Sequence, residues 1–316
     1  KTSEETPLLA PGFAKIALEA GLPEGLLQVV QGFGHDLGSA LVEHPHVRMV
    51  TFTGGTNTGR LIGEAAGRKI IPVALELGGK SPHIVFEDAD LEHAVAAVVS
   101  GIFGSAGQSC VAGSRLFVQE SVYEQVLTAV VERTKKIIVG APDMKGVEVG
   151  PLASLEHRER VKQFVERARK EGGSILCGGQ EPDDERLKQG AYYLPTIIEG
   201  LSNQSLTCQE EAFGPVLVVL PFKDEMDLIK QANDTDFGLA CGIWSQDFKK
   251  AWRVGRALEA GSVWINTYKQ SVTTTPFGGF KDSGIGREKG LNGLKIYTQT
   301  KSMFFGLHKN PLPLAK

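Results

Sequence analysis

The sequence predicts an α/β fold built on parallel sheet. Three observations carry that expectation. Short β-branched or apolar runs alternate with amphipathic helical segments, glycine-rich turns separate them, and one run, Val216–Phe222, is apolar almost throughout. Strands alternating with helices at this spacing point to crossover connections and a doubly wound sheet. A continuous apolar strand is one covered on both faces. The chain has 316 residues, enough for two domains at about 150 residues each.

Each element has its own warrant. Phe13, Ile16, Ala17 and Ala20 recur at helical spacing, and Gly21 with Pro23 ends that helix. Residues 26–30 read as a strand, 36–43 as a short helix, 47–53 as a β-branched strand, 58–66 as a helix and 70–77 as a further strand. Ser121 and Glu124 have capping-box spacing ahead of Val122, Val126, Leu127, Val130 and Val131. Ser154 opens a helix with Val161, Phe164, Val165 and Ala168 inward and Gly172-Gly173 at its end. Residues 178–190 read as a polar surface loop, Asp247 as the cap of a helix reaching Glu259, and 262–266 as one more strand. The proline-rich stretch from His308 to Lys316 reads as frayed.

Composition excludes several classes. With 34 basic and 37 acidic residues the net charge is -3, so no basic footprint for nucleic acid is expected. No apolar run approaches the roughly 20 residues that span a bilayer. Four cysteines, Cys110, Cys177, Cys208 and Cys241, include no CxxC pair, which argues against a disulfide framework and a structural zinc. His44-Pro45-His46 reads as a surface turn, and no metal is expected. A reducing cytoplasm is the expected compartment. The opening Lys1-Thr2-Ser3-Glu4-Glu5-Thr6-Pro7 has no initiator Met, basic region or apolar core of a signal peptide, and reads like a chain joined part-way through.

Three segments have the makings of chemistry. Phe52-Thr53-Gly54-Gly55-Thr56-Asn57-Thr58-Gly59-Arg60 follows a strand and opens a helix, where small residues and a helix N-terminus can receive a phosphate. It is neither a Walker A loop nor GxGxxG, and by itself it fits a ligand-free turn equally well. Gly107-Gln108-Ser109-Cys110 places a cysteine among small residues that leave room for a substrate, although a buried structural cysteine is the ordinary alternative. Glu76, in Leu75-Glu76-Leu77-Gly78-Gly79-Lys80, ends an apolar strand. Such surroundings raise a carboxyl's pKa and suit a general base. The alternative is a salt bridge, with Lys80 the nearest partner.

Together with Glu210-Glu211-Ala212-Phe213-Gly214-Pro215-Val216 and Pro276-Phe277-Gly278-Gly279-Phe280-Lys281-Asp282-Ser283-Gly284, in this order, these segments resemble the aldehyde dehydrogenase superfamily from Lys1 to about Phe305. The resemblance implies an aldehyde dehydrogenase-like α/β fold: a partial Rossmann-like cofactor domain over residues 1–78, a catalytic α/β domain over 79–290, and a segment over 291–316 for oligomerisation. It makes Cys110 the nucleophile and Glu76 the base that activates water toward the thioester, with a carboxylic acid as product. Either Glu76 or the local field must then raise the thiolate fraction of Cys110. It makes Lys1 and Glu4 contacts of the adenosine ribose, favouring NAD over NADP. Gly54 and Gly55 become the phosphate turn, Leu77 a ring contact, and Glu211 with Phe213 the holders of the nicotinamide ribose and ring. Glu288 matches an acidic residue of a proton relay and fits a plain helix-start carboxylate as well.

The resemblance also implies a small-molecule aldehyde substrate and a homodimer or homotetramer, with residues 297–307 adding a strand to a neighbour's sheet. Residues 266–275 resemble the loop that shapes the substrate mouth, and the small residues Gly104, Ser105 and Ala106 lead us to expect an open tunnel beside Cys110. One departure stands out. Family members carry an upstream Trp-Asn whose amide binds the oxyanion, whereas here Trp244, Trp252 and Trp264 precede Ser245, Arg253 and Ile265. The expectation is a C-terminal portion of a longer enzyme, poorly active alone. Two rival readings are a cofactor-independent thiol esterase and a catalytically inactive binding or structural protein of this fold.

Overall fold

A strand with apolar side chains on both faces needs cover on both, and the central strands of this protein have it. The computed structural model describes residues 1–307. Its strands are β1 (Val50–Thr53), β2 (Val73–Glu76), β3 (Pro82–Val85), β4 (Arg115–Gln119), β5 (Ser174–Cys177), β6 (Thr196–Glu199), β7 (Val216–Phe222), β8 (Phe237–Gly238), β9 (Ala240–Trp244), β10 (Ser262–Ile265), β11 (Phe280–Lys281) and β12 (Gly284–Ile285). Its helices are α1 (Leu9–Glu19), α2 (Ser39–Glu43), α3 (Thr56–Lys69), α4 (Leu91–Phe103), α5 (Tyr123–Lys135), α6 (Leu155–Lys170), α7 (Leu206–Gln209), α8 (Glu225–Asn233), α9 (Phe248–Ala257) and α10 (Gly290–Lys295).

Seven strands form the main sheet in the order β10-β9-β3-β4-β7-β6-β5. All neighbours run parallel except β5, which is antiparallel to β6. Ile84, Leu116, Phe117, Ile197 and Leu217 are fully buried in the core beneath α4, α5 and α6. A smaller sheet has the order β1-β2-β12, with β2 parallel to β1 and antiparallel to β12. Thus the late segment bearing β12 folds back onto the strand that carries Glu76. Strands β8 and β11 pair separately.

The α/β class and most elements hold, with corrections. The sheets are mixed rather than purely parallel. Residues 26–30 form no strand: strands exist by pairing, and β1 pairs only with β2 among the described residues. The helix expected over 36–43 is a π-helical turn, Gly34–Gly38, followed by α2. The capping box fails because the Ser121 hydroxyl donates instead to Glu87 Oε2 at 2.7 Å. Helix α5 then starts after a 3₁₀ turn with Val122 at its cap. Ser154 and Asp247 cap α6 and α9 as expected. Residues 297–307 form no strand within this chain, and 308–316, expected to be frayed, lie outside the described residues.

One buried cation ties the main sheet to the segment before β3, to Asn203 and to the end of α8. Arg115, at the start of β4, is fully buried and donates to the Lys80 carbonyl at 2.9 Å, the Ala232 carbonyl at 2.9 Å and Asn203 Oδ1 at 3.1 Å. Burial lowers its pKa to about 10. Each acceptor left unpaired in such a place costs about 1–3 kcal/mol. Arg115→Met is therefore expected to destabilise the protein by roughly 3 kcal/mol or more in denaturant unfolding. Arg253→Met, which breaks only an exposed pair with Glu225, is expected to change stability by less than about 1 kcal/mol.

Candidate active site

The strand β2 ends at Glu76, and the chain past it is clasped from the far end of the sequence. The Leu77 N–H donates to the Ser283 carbonyl at 3.0 Å, and the buried Ser283 hydroxyl donates to the Gly78 carbonyl at 2.7 Å. The same hydroxyl accepts from the Gly238 N–H at 2.9 Å. Held this way, Glu76 is 4% exposed and neither carboxylate oxygen has a partner. Burial first, then the charge of Glu288, push its pKa up to about 8 against the opposing charge of Arg287. No salt bridge joins it to Lys80. That ammonium is buried over the Phe164 ring, 5.1 Å from its centre, and burial lowers its own pKa to about 8.

Cys110 follows a strained turn. Ser105, Ala106 and Gly107 have φ of 56°, 54° and 71°, a left-handed region that residues bearing a Cβ rarely occupy. Gly107 has no alternative, since a Cβ there would stand 2.1 Å from the Gly214 carbonyl oxygen. Gln108 pins the turn: its Oε1 accepts from the Ala153 N–H at 2.8 Å and its Nε2 donates to the Ser105 carbonyl at 3.3 Å. A second close approach is at Gly79, where a Cβ would lie 2.3 Å from the Cys110 carbonyl oxygen. Two backbones meet there because one has no side chain.

The small residues ahead of Cys110 therefore serve backbone geometry, and Gly104, Ser105 and Ala106 do not line the cleft. The field at the sulfur also runs against one expectation. Burial, then the charges of Glu211 and Glu76, raise the half-buried Cys110 thiol's pKa, and the N–H groups of Val111 and Cys110 only partly oppose this. The local field suppresses the thiolate, which leaves a base to remove the proton.

One cleft of about 1290 Å³ collects Gly54, Gly55, Glu76, Leu77, Cys110, Glu211 and Phe213. Helix α3 opens onto it with Gly55 at its cap, open space at that Cβ, no side chain on its first N–H groups and no acidic residue in its first turn. Such a terminus accepts an anion, and the volume exceeds the roughly 300–1,000 Å³ of ordinary ligand pockets. These residues fit a dinucleotide. The Glu211 carboxylate accepts from the Gly79 N–H at 3.1 Å, and burial raises its pKa. Phe213 is strained at φ 47° and its carbonyl is 2.7 Å from His157 Nε2.

Three expected residues sit apart from the cleft wall. Lys1 and Glu4 form an ion pair at 2.9 Å, and Glu4 also accepts from the Gly34 N–H; Ser3 and Glu5 line the cleft instead. Those contacts hold Glu4 ionised, with its pKa near 2. Glu288 is within reach of the Thr51 hydroxyl at 3.5 Å and influences Glu76 through its charge. Sequence reasoning missed Gln108, His157, Ser283 and Tyr268, whose hydroxyl donates to the Val111 carbonyl at 3.0 Å. All four make contacts 45 or more residues away in sequence, and only the place of Gln108 and Ser283 in their motifs marked two of them.

Comparison with known proteins accounts for this arrangement. The model of the aldehyde dehydrogenase family matches residues 1–303. The chain belongs to the aldehyde dehydrogenase family. It is 44% identical over 304 residues to phenylacetaldehyde dehydrogenase of Pseudomonas fluorescens, covering 96% of this chain and 60% of that one. It is 46% identical over 305 residues to 4-trimethylaminobutyraldehyde dehydrogenase B of Danio rerio, covering 96% and 59%. The NAD+ complex of an aldehyde dehydrogenase from Bacillus cereus superposes with a TM-score of 0.93 at 42% identity, over 96% of this chain and 61% of the other. This family member thus spans about three fifths of the relatives' length.

Two outcomes follow from the geometry. Gly79→Ala is expected to displace the Cys110 peptide, costing about 1–3 kcal/mol of stability and slowing Cys110 alkylation about tenfold or more; unchanged alkylation would contradict the contact. Because raised acid pKa values mean deprotonation only at higher pH, Cys110 alkylation by iodoacetamide should climb through and beyond the roughly 8.5 of a free thiol. Glu76→Gln, lacking the like charge, should shift that profile to lower pH.

Proposed function

We propose that this chain carries the catalytic half of an NAD-dependent oxidation of an aldehyde to a carboxylic acid. The observation that supports it most is the meeting, in one cleft, of a cysteine on a rigid turn, a buried unpartnered carboxyl and an anion-receptive helix terminus. The Cys110 sulfur attacks the aldehyde carbon once its proton has left, and the carbon becomes a tetrahedral thiohemiacetal. A nicotinamide bound in the cleft supplies the acceptor for the departing hydride. The thioester left on Cys110 is cleaved by water, whose proton Glu76 takes, releasing the acid and the thiol. A carboxyl with pKa near 8 is a stronger base than an ordinary carboxylate when ionised.

Gly54, Gly55 and the α3 terminus would hold the pyrophosphate; Leu77, Glu211 and Phe213 would hold the nicotinamide end. Ionised Glu4 disfavours a 2′-phosphate and so favours NAD over NADP, with Lys1 offsetting part of the repulsion. Glu288 would relay protons to Glu76. Residues 1–78 then act as part of the cofactor domain, 79–290 as the catalytic domain and 291–316 as a segment for homodimer or homotetramer contacts. Exposed Met303, Phe304 and Phe305 support the last assignment. Four free thiols favour a cytoplasmic setting, and no described helix is long and apolar enough to cross a membrane.

In the protein as natively produced, Cys110→Ala is expected to abolish NADH formation from any aldehyde. Glu76→Gln should retain a first burst of NADH and lose steady turnover by about 10²-fold or more, because deacylation stalls without its base. Ester hydrolysis independent of NAD, with no NADH from aldehydes, would establish the thiol esterase instead. Absence of both activities would establish the inactive fold.

A further inference from the structure

The loop after β10 is fastened to the nucleophile on its Val111 side. Tyr268 donates to the Val111 carbonyl, stacks on His83 with ring centres 4.3 Å apart and touches Trp264 at 5.0 Å. Gly242 leaves the slot for this ring, since a Cβ there would stand 2.4 Å from it. The next residue inherits that fixed place. Lys269 is held at φ 58°, in the left-handed region, while Trp264 Nε1 anchors the following carbonyl, that of Gln270, at 2.8 Å.

Lys269 is half-buried and makes neither an ion pair nor a hydrogen bond among the described residues. Neighbouring lysines fare differently: Lys281 pairs with Glu259, and Lys289 donates to the Ser271 hydroxyl at 2.6 Å. Its backbone follows directly on Tyr268, which is hydrogen-bonded to the residue after Cys110, and burial lowers the Lys269 pKa while the charge of Cys110 opposes that shift. Lys269 is not part of the cleft wall that holds Cys110 with Gly54, Glu76 and Glu211, so a group bound to it would approach Cys110 from outside that cleft. A desolvated cation with no counter-ion is the natural complement of an anion.

We propose that Lys269 is a specificity-determining residue that binds a carboxylate carried by the aldehyde substrate while its carbonyl meets Cys110. The proposal rests on the dehydrogenase reading above. It assigns an aldehyde with a second, anionic end as the preferred substrate class. A quaternary ammonium end would set like charges together and is disfavoured.

The test has an arm that needs neither cofactor nor turnover. Cys110 is alkylated with iodoacetate and, separately, with iodoacetamide, and the two rates are compared in the unaltered protein, Lys269→Met and Lys269→Arg. The rate ratio cancels any change in the thiol's own ionisation, and Glu76 and Glu211 are common to all three. Lys269→Met is expected to lower the iodoacetate-to-iodoacetamide ratio about three- to tenfold, and Lys269→Arg to keep it. An unchanged ratio overturns the proposal. In the second arm, kcat/KM is measured for an aldehyde bearing a terminal carboxylate, for its methyl ester and for a trimethylammonium analogue. The carboxylate is expected to be preferred at least tenfold, the preference vanishing in Lys269→Met and reversing in Lys269→Glu. Equal turnover of all three overturns the substrate class and leaves the dehydrogenase standing. A fallen alkylation ratio with no NADH from any aldehyde overturns the dehydrogenase reading, and with it the assignment of an aldehyde substrate.

Discussion

The approach of the Gly79 backbone to the Cys110 carbonyl is the contact on which the rest of the site depends. A methyl group at that position would sit 2.3 Å from the oxygen, well inside any real separation of such atoms. Because the two backbone segments touch there, the strand end carrying Glu76 and the turn carrying Cys110 are set relative to each other by backbone alone, independent of side-chain rotamers. The Gly79 N–H in turn engages Glu211, so a third segment is fixed at the same point. Precision of this kind is what positioned catalytic groups require.

The site stores cost that the fold around it must meet. Two consecutive non-glycine residues in the left-handed region, a buried carboxyl without partners and a desolvated thiol are each unfavourable by about one to several kcal/mol. They persist because the surroundings over-determine them. Gln108 braces the turn from α6's approach, Ser283 clasps the strand end, and Arg115 stitches the main sheet to the segment before β3. The same burial that costs stability raises the basicity of Glu76, so the expense is the source of its proposed chemistry.

Much of the core was legible in the sequence because burial leaves a pattern. The apolar run of β7 and the inward positions of α6 were read directly and are buried. Misreadings came where pairing or a distant partner decided. Residues 26–30 have strand composition and no neighbouring strand. Ser121 has cap chemistry and spends its hydroxyl on Glu87. Of the named site residues, seven share the cleft wall, whereas Lys1, Glu4 and Glu288 stand off it. Spacing within a motif does not say which neighbour of a residue faces inward.

The sequence by itself determined the α/β class and the family and singled out Cys110 and Glu76 for the proposed chemistry, because local periodicity and short ordered motifs encode those. Tertiary structure decided the electrostatics. That Glu76 is unpartnered, that the field at Cys110 opposes the thiolate and that Lys269 lacks a counter-ion follow from groups brought together across the chain. Charge and desolvation are properties of a place in three dimensions, and a residue's identity does not contain its surroundings.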